Sequence, residues 1–169
     1  DGIKRIFREK NPIRIMKEQD EKTKEFNLKC NLYLAGKNGD KIYYGKPIIF
    51  DDKREHFMYP NEARLRNMTY GITVHYDVDV EFFIKNPEDE AHPTEPTHTS
   101  TLSKIFLGRF PIMLFSDLCI LKNLTPDVRF ELGECRNDYG GYFIIDGKEK
   151  VIVSQEKFAD NMLYVKDKG

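Results

Sequence analysis

Residues Ile72–Ile84 constrain the fold more than any other stretch. Ile72, Val74, Tyr76, Val78, Val80, Phe82 and Ile84 alternate with Thr73, His75, Asp77, Asp79 and Glu81. A period of two places the first set on one face of a β-strand and the second on the other. Thirteen residues of strand run the length of a domain, so the rest of the chain must be arranged around it. The polar face is expected to be wet. Asp77, Asp79 and Glu81 fall on it at steps of about 7 Å. An acid pair or a metal site can be drawn there. The plainer reading is a solvated face that discourages edge pairing.

A second alternation covers Glu25–Ala35, with Phe26, Leu28, Cys30, Leu32 and Leu34 on one side. The Gly36–Asp40 turn leads to Ile42–Phe50, a strand interrupted by Gly45 and Pro47 and therefore at an edge or a bulge. The two are expected to pair as a hairpin, followed by a charged loop at Asp51–Glu55. Two short helices carry start signals. Pro60 suits a first helical position and Glu62 the N-terminal dipole, which predicts a helix over 60–68 that ends near Gly71. Thr125-Pro126-Asp127 opens the other; Leu124, Val128 and Leu132 share its face, and Gly133 closes it. Lys104–Leu121 reads as a strand to Gly108, then Arg109-Phe110-Pro111 and an apolar segment in which Cys119 is a small buried residue. Tyr142–Ile145 and Lys150–Val153 form a hairpin about Asp146-Gly147, whose residue types accept positive φ. Gly140-Gly141 lets the backbone bend in front of it, and Val151–Val153 anchor it in a core. Glu156–Asn161 reads as a loop and Met162–Val165 as a last strand. The expected class is α+β, mainly antiparallel sheet with a few short helices.

Residues 1–24 form a basic lead-in, with Lys4, Arg5, Arg8, Lys10, Arg14, Lys17, Lys22 and Lys24. Ile3, Ile6 and Phe7 are spaced as one helix face, and Ile13 and Met16 as another, divided at Asn11-Pro12. A segment half-docked on a neighbour and a functional basic arm are both open. Residues 86–100 hold three prolines, four acids and two histidines, a loop in which His92 and His98 have no further ligand cluster. Cys30, Cys119 and Cys135 are isolated, which argues against a disulfide framework or a zinc site and for a reducing, intracellular setting. The net charge of −1 means that any contact with nucleic acid goes through a local patch or a larger assembly. No apolar run reaches membrane-spanning length, so no membrane partner is expected. The chain opens on Asp-Gly and stops at Lys168-Gly169, and it reads as a piece of a longer protein. No Gly-rich phosphate loop, nucleophile elbow or H-E-x-x-H pattern is present.

Four motifs carry a resemblance. They are YP-x-EARLRN-x-TY at 59–70, GR-x-PIML at 108–114, L-x-EC-x-x-D-x-GG at 132–141 and YFIIDG-x-EKVIVSQ at 142–155. In this order they resemble the second-largest, β-type subunit of multisubunit DNA-directed RNA polymerases, in its archaeal, eukaryotic and large-DNA-virus form. Asp146 stands where that pattern has Asn, and Phe110 departs in size from the usual aliphatic residue. The resemblance implies that residues 25–169 are part of the protrusion domain, a wall of the cleft over the RNA–DNA hybrid and upstream DNA. It implies nucleic-acid-proximal positions at Val153, Ser154, Gln155 and Lys157. Arg64, Arg66, Arg109, Gly140, Gly141, Asp146 and Gly147 are its structural positions. Arg64 and Arg66 then either pair with local carboxylates or meet phosphates, and Arg109 bonds backbone carbonyls to fix the hairpin. No catalytic residue and no cofactor are expected in this stretch; magnesium and zinc are implied elsewhere in the whole enzyme. Implied partners are the largest subunit, other polymerase subunits, template DNA, the RNA–DNA hybrid and general transcription factors, in the nucleus or, for a virus, the host cell or virion. The competing expectation is a free-standing β-rich interaction module.

Overall fold

A computed structural model describes residues 2–19, 21, 24, 26–52, 54–85 and 93–169. In chain order they form α1 (Gly2–Lys10), β1 (Ile13–Gln19), β2 (Phe26–Leu34), β3 (Ile42–Tyr44), β4 (Ile48–Asp51), β5 (Arg54–Phe57), α2 (Pro60–Leu65), β6 (Gly71–Ile84), β7 (His98–Pro111), α3 (Pro126–Glu131), β8 (Phe143–Ile145) and β9 (Lys148–Lys150). Residues 86–92, His92 among them, lie outside the described residues, as do Lys22 and Glu25. No helix of the described residues is long and apolar enough to cross a membrane.

The alternation at 72–84 is β6, the centre of a five-stranded sheet. β2 and β3 pair along one edge of β6 and β7 along the other; β1 lies outside β2, and every pairing is antiparallel. The fold is therefore α+β and mainly antiparallel, as the patterning predicts. β6 serves two cores. Its upper residues Val78 and Val80 pack with Cys30, Leu32, Leu34 and Phe82. Its lower residues Ile72 and Val74 pack with Ile49, Met58, Ala63, Tyr70, Ile112, Leu114, Cys119, Leu121 and Ile144. Phe7 of α1 stacks on Tyr76 with ring centroids 5.7 Å apart.

Several expectations are corrected. Ile13 and Met16 lie in a strand, not on a helix face: Ile13 pairs with Leu32 and Ile15 with Cys30. Pro12 lacks the N–H that a helix would need to continue. The Asn11 side chain then ties the junction to Leu34 and Gly36 through three hydrogen bonds of 2.8–3.0 Å. Ile42–Phe50 is not one strand and does not pair with β2. β3 pairs with β6, and β4 pairs with β5, so part of the charged 51–55 loop is a hairpin. The break falls at Gly45, whose N–H bonds Thr73 O at 2.8 Å, and at the buried Pro47. α2 stops at Leu65. β7 starts at His98, earlier than expected, with that ring stacked on Phe82. Met162–Val165 is not a strand and is exposed.

The polar face of β6 is not wet. Asp77 and Glu81 are buried because neighbours reach over them. Tyr43 and the Lys104 N–H both bond Asp77 at 2.8 Å. Lys41 and Thr101 hold Asp79 at 2.9–3.0 Å, and Lys37 and Tyr33 hold Glu81. β7 carries two register shifts against β6. The Lys104 amide lies at one of them, where a bulge leaves an N–H without a ladder partner; Asp77 satisfies it.

The Lys104 amide and Tyr43 hold the Asp77 carboxyl below its ordinary value of 3.8, and Lys41 does the same for Asp79. A carboxyl lowered on folding adds stability above its unfolded value, and that stability is lost as pH falls through the folded value. We expect the denaturant midpoint to drop as pH falls below 3.8. In Asp77→Asn/Asp79→Asn this drop should be smaller, as read by unfolding curves across that range.

Candidate functional site

The hairpin β8–β9 is docked by backbone bonds rather than by strand length. The Tyr70 N–H bonds Ile144 O at 3.0 Å, and the Ile112 N–H bonds Tyr70 O at 3.1 Å. The Leu114 N–H takes Tyr142 O at 2.9 Å, and the Gly141 N–H takes Leu114 O at 3.1 Å. Tyr70 is thus held between the 112–114 segment and the hairpin. Its buried hydroxyl sits 3.4 Å from Cys119 Sγ and accepts from the Ile120 N–H; burial raises its pKa. Gly140 (φ +68°) must be glycine: a Cβ there would lie 2.4 Å from the Phe115 ring. Gly141 takes φ +81° with open space around it. Asp146 (φ +49°) and Gly147 (φ +75°) make a two-residue turn, a geometry Asp accepts as Asn does. Thr69 Oγ1 receives the Asp146 N–H and bonds its carboxylate; the Gly147 N–H bonds Met68 O.

The turn sets the register Ile145↔Lys148, Ile144↔Glu149, Phe143↔Lys150. The expected second strand at Lys150–Val153 is therefore corrected to Lys148–Lys150. Val151–Val153 do not anchor a core; they are 66–79% exposed. Tyr142, which would face Val151, gives its carbonyl to Leu114 instead.

Arg64 on α2 is the centre of the polar site. Its Nε bonds Glu149 Oε1 at 2.9 Å, Nη1 bonds Glu134 Oε2 at 3.4 Å, and Nη2 reaches Asp138 Oδ2 at 3.5 Å and the Tyr142 hydroxyl. Tyr142 in turn donates to Asp138 at 2.5 Å. Glu134 is 4% exposed, and its other oxygen accepts the Asn61 N–H at 2.7 Å. Burial raises the Glu134 pKa against the pull of Asn61 and Arg64. Burial alone would lower that of Arg64; Tyr142, Glu134 and Glu149 outweigh it and hold the guanidinium charged. These residues line an open cleft beside Gly133 and Cys135.

Arg66 points elsewhere, to Asp51 at 2.6 and 2.8 Å and to Glu62 at 3.1 Å. Asp51, His56 and Glu62 bring ligand atoms within 4.8 Å of one another, but the Arg66 cation already occupies both carboxylates. Arg109 reaches one backbone carbonyl, Thr69 O at 3.5 Å, in the segment under the hairpin turn. Val153, Ser154, Gln155 and Lys157 follow β9 in an exposed run without regular structure. Glu134, Asp138, Tyr142 and Glu149 are site residues that the sequence does not single out, although all four lie inside the third and fourth motifs. Asp77 stands out by its place on the polar face of β6, but its partner, the Lys104 amide at the bulge in β7, does not show in the sequence.

A family model described as RNA polymerase beta subunit matches residues 1–166. The chain belongs to the RNA polymerase β-subunit family. It is 41% identical over 126 residues to DNA-directed RNA polymerase II subunit 2 of Arabidopsis thaliana, covering 74% of this chain and 10% of that protein. To DNA-directed RNA polymerase subunit Rpo2N of Halobacterium salinarum it is 38% identical over 112 residues, 66% of this chain and 20% of that protein. A probable DNA-directed RNA polymerase II subunit RPB2 homolog of Invertebrate iridescent virus 6 is 37% identical over 123 residues, 72% of this chain and 10% of that protein. The chain thus spans about a tenth of the length of the eukaryotic and viral relatives and a fifth of the archaeal one. In this β-subunit chain, the first motif contributes Arg64, the third Glu134 and Asp138, and the fourth Tyr142 and Glu149.

Removing Arg64 strands a buried carboxylate, a change that costs about 3–5 kcal/mol. Arg64→Ala should lower unfolding stability by that order in denaturant titrations; an exposed phosphate-contacting arginine would leave it unchanged. Gly140→Ala should destabilise through the Phe115 clash and the left-handed φ, whereas Gly141→Ala should lose only the φ part, about 1–2 kcal/mol. Parallel melting curves compare the two.

Proposed function

We propose that this chain forms one wall of the active-centre cleft of a DNA-directed RNA polymerase, helping to hold the RNA–DNA hybrid and upstream DNA without catalysis of its own. The observation that carries this reading is the docked hairpin followed by an exposed run. Four family motifs meet at β8–β9 through backbone hydrogen bonds, and the chain then leaves as an exposed run through Val153, Ser154, Gln155 and Lys157. Gln155 has an amide that donates and accepts, and Lys157 a charge; phosphate and sugar contacts need those groups. The Arg64 and Arg66 clusters are internally matched by carboxylates, which suits a scaffold rather than acid–base chemistry. Catalytic magnesium and structural zinc then belong to other parts of the enzyme. The partners in this reading are the largest subunit, other polymerase subunits, template DNA, the hybrid and general transcription factors. The setting is a nucleus, or a host cell or virion if the source is viral.

Gln155→Ala and Lys157→Ala in the assembled enzyme should shorten the lifetime of the RNA–DNA hybrid several-fold. Because both side chains are exposed, subunit stability should change by no more than about 0.5 kcal/mol. Unchanged hybrid lifetime in transcript-release assays would remove the 153–157 run from the nucleic-acid path.

A further inference from the structure

The outer face of β1 and β2 gathers charge that the fold does not use. Every residue of β1 is at least partly open to solvent. The register sets Arg14 opposite Asn31, Met16 opposite Lys29, and Lys29 opposite Phe83. Alternation puts all five on one sheet face, where they line a shallow cavity of about 220 Å³. Arg14 and Lys29 are diagonal neighbours, about 7 Å apart by sheet geometry.

The carboxylates on the same face are already engaged. Asp77 is held by Tyr43 and the Lys104 amide, Asp79 by Lys41, and Glu81 by Lys37. Arg14 and Lys29 make no ion pair among the described residues, and Glu18, further along β1, pairs with neither. Residues 2–19 hold six cations (Lys4, Arg5, Arg8, Lys10, Arg14, Lys17) against Glu9 and Glu18, a net +4 within a chain of net −1.

We propose that this face docks a single-stranded nucleic-acid segment. Arg14 offers a planar fork to a phosphate and Lys29 a point charge to the next. Asn31 bonds a sugar or base edge, and Phe83 with Met16 forms an apolar floor on which a base lies. One aromatic ring, Phe83, beside unpaired cations is a small version of the stacking-and-charge pattern of sequence-tolerant single-strand sites. The inference rests on the polymerase reading and adds a second contact, separate from the 153–157 run.

The test uses the assembled polymerase with a photo-crosslinking residue at Met16 and separately labelled DNA and RNA strands. We expect a crosslink to one of those strands. Arg14→Ala/Lys29→Ala should reduce the slope of log affinity against log salt by roughly 1.4, about 0.7 for each lost single-strand phosphate contact. A crosslink to protein alone would make the face a protein interface and overturn the proposal, as would no crosslink or an unchanged slope. If Gln155→Ala shortens the hybrid lifetime while this slope stays unchanged, this site alone fails. If neither responds, the cleft-wall reading fails with it.

Discussion

A buried carboxylate answered by one guanidinium sets the geometry of the second half of this chain. Glu134 is almost wholly removed from water, and an unmatched charge there would cost several kcal/mol. Arg64 and the Asn61 amide supply the match. The same guanidinium also reaches Asp138, Tyr142 and Glu149. Its fork has fixed directions, so it specifies how α2, the segment after α3 and the hairpin sit together. Hydrophobic contacts around Tyr70, Leu114 and Ile144 supply the driving force but little direction.

β6 extends that order across the molecule. One strand contributes Ile72 and Val74 to the lower core and Val78 and Val80 to the upper. The two register shifts in β7 fall between these pairs, so β7 absorbs the mismatch while β6 stays regular. Asp77 makes that tolerable by accepting the amide of Lys104. A buried aspartate in the middle of a sheet is explained by a backbone donor, not by chemistry on a substrate.

The arrangement divides the chain into parts that hold and parts that are left free. Arg64, Arg66, Asp77 and Glu134 are spent on the fold itself. The run after Lys150 and the Arg14–Lys29 face are not. The proposed cleft-wall role calls for such a support with uncommitted polar groups at its margins. The β-subunit family membership gives that arrangement its context.

Much of this was legible in the sequence. Period-two alternation identified β6 and β2, Thr125-Pro126 the start of α3, and Asp146-Gly147 the turn of the hairpin, because each depends on local sterics or a local hydrogen bond. The motif order identified the family. Pairing was not legible. β3 chose β6 over β2, and Ile13–Gln19 became an outer strand, because the choice depends on which distant edge is open. Nor was burial. The Asp77–Glu81 face was covered by lysines and tyrosines arriving from β2, the β2–β3 turn and β3, while the apolar Val151–Val153 was left in solvent. Sequence determined which residues could form strands, turns and caps. Tertiary structure decided which charges were matched and which apolar residues were covered, since both depend on neighbours far away along the chain.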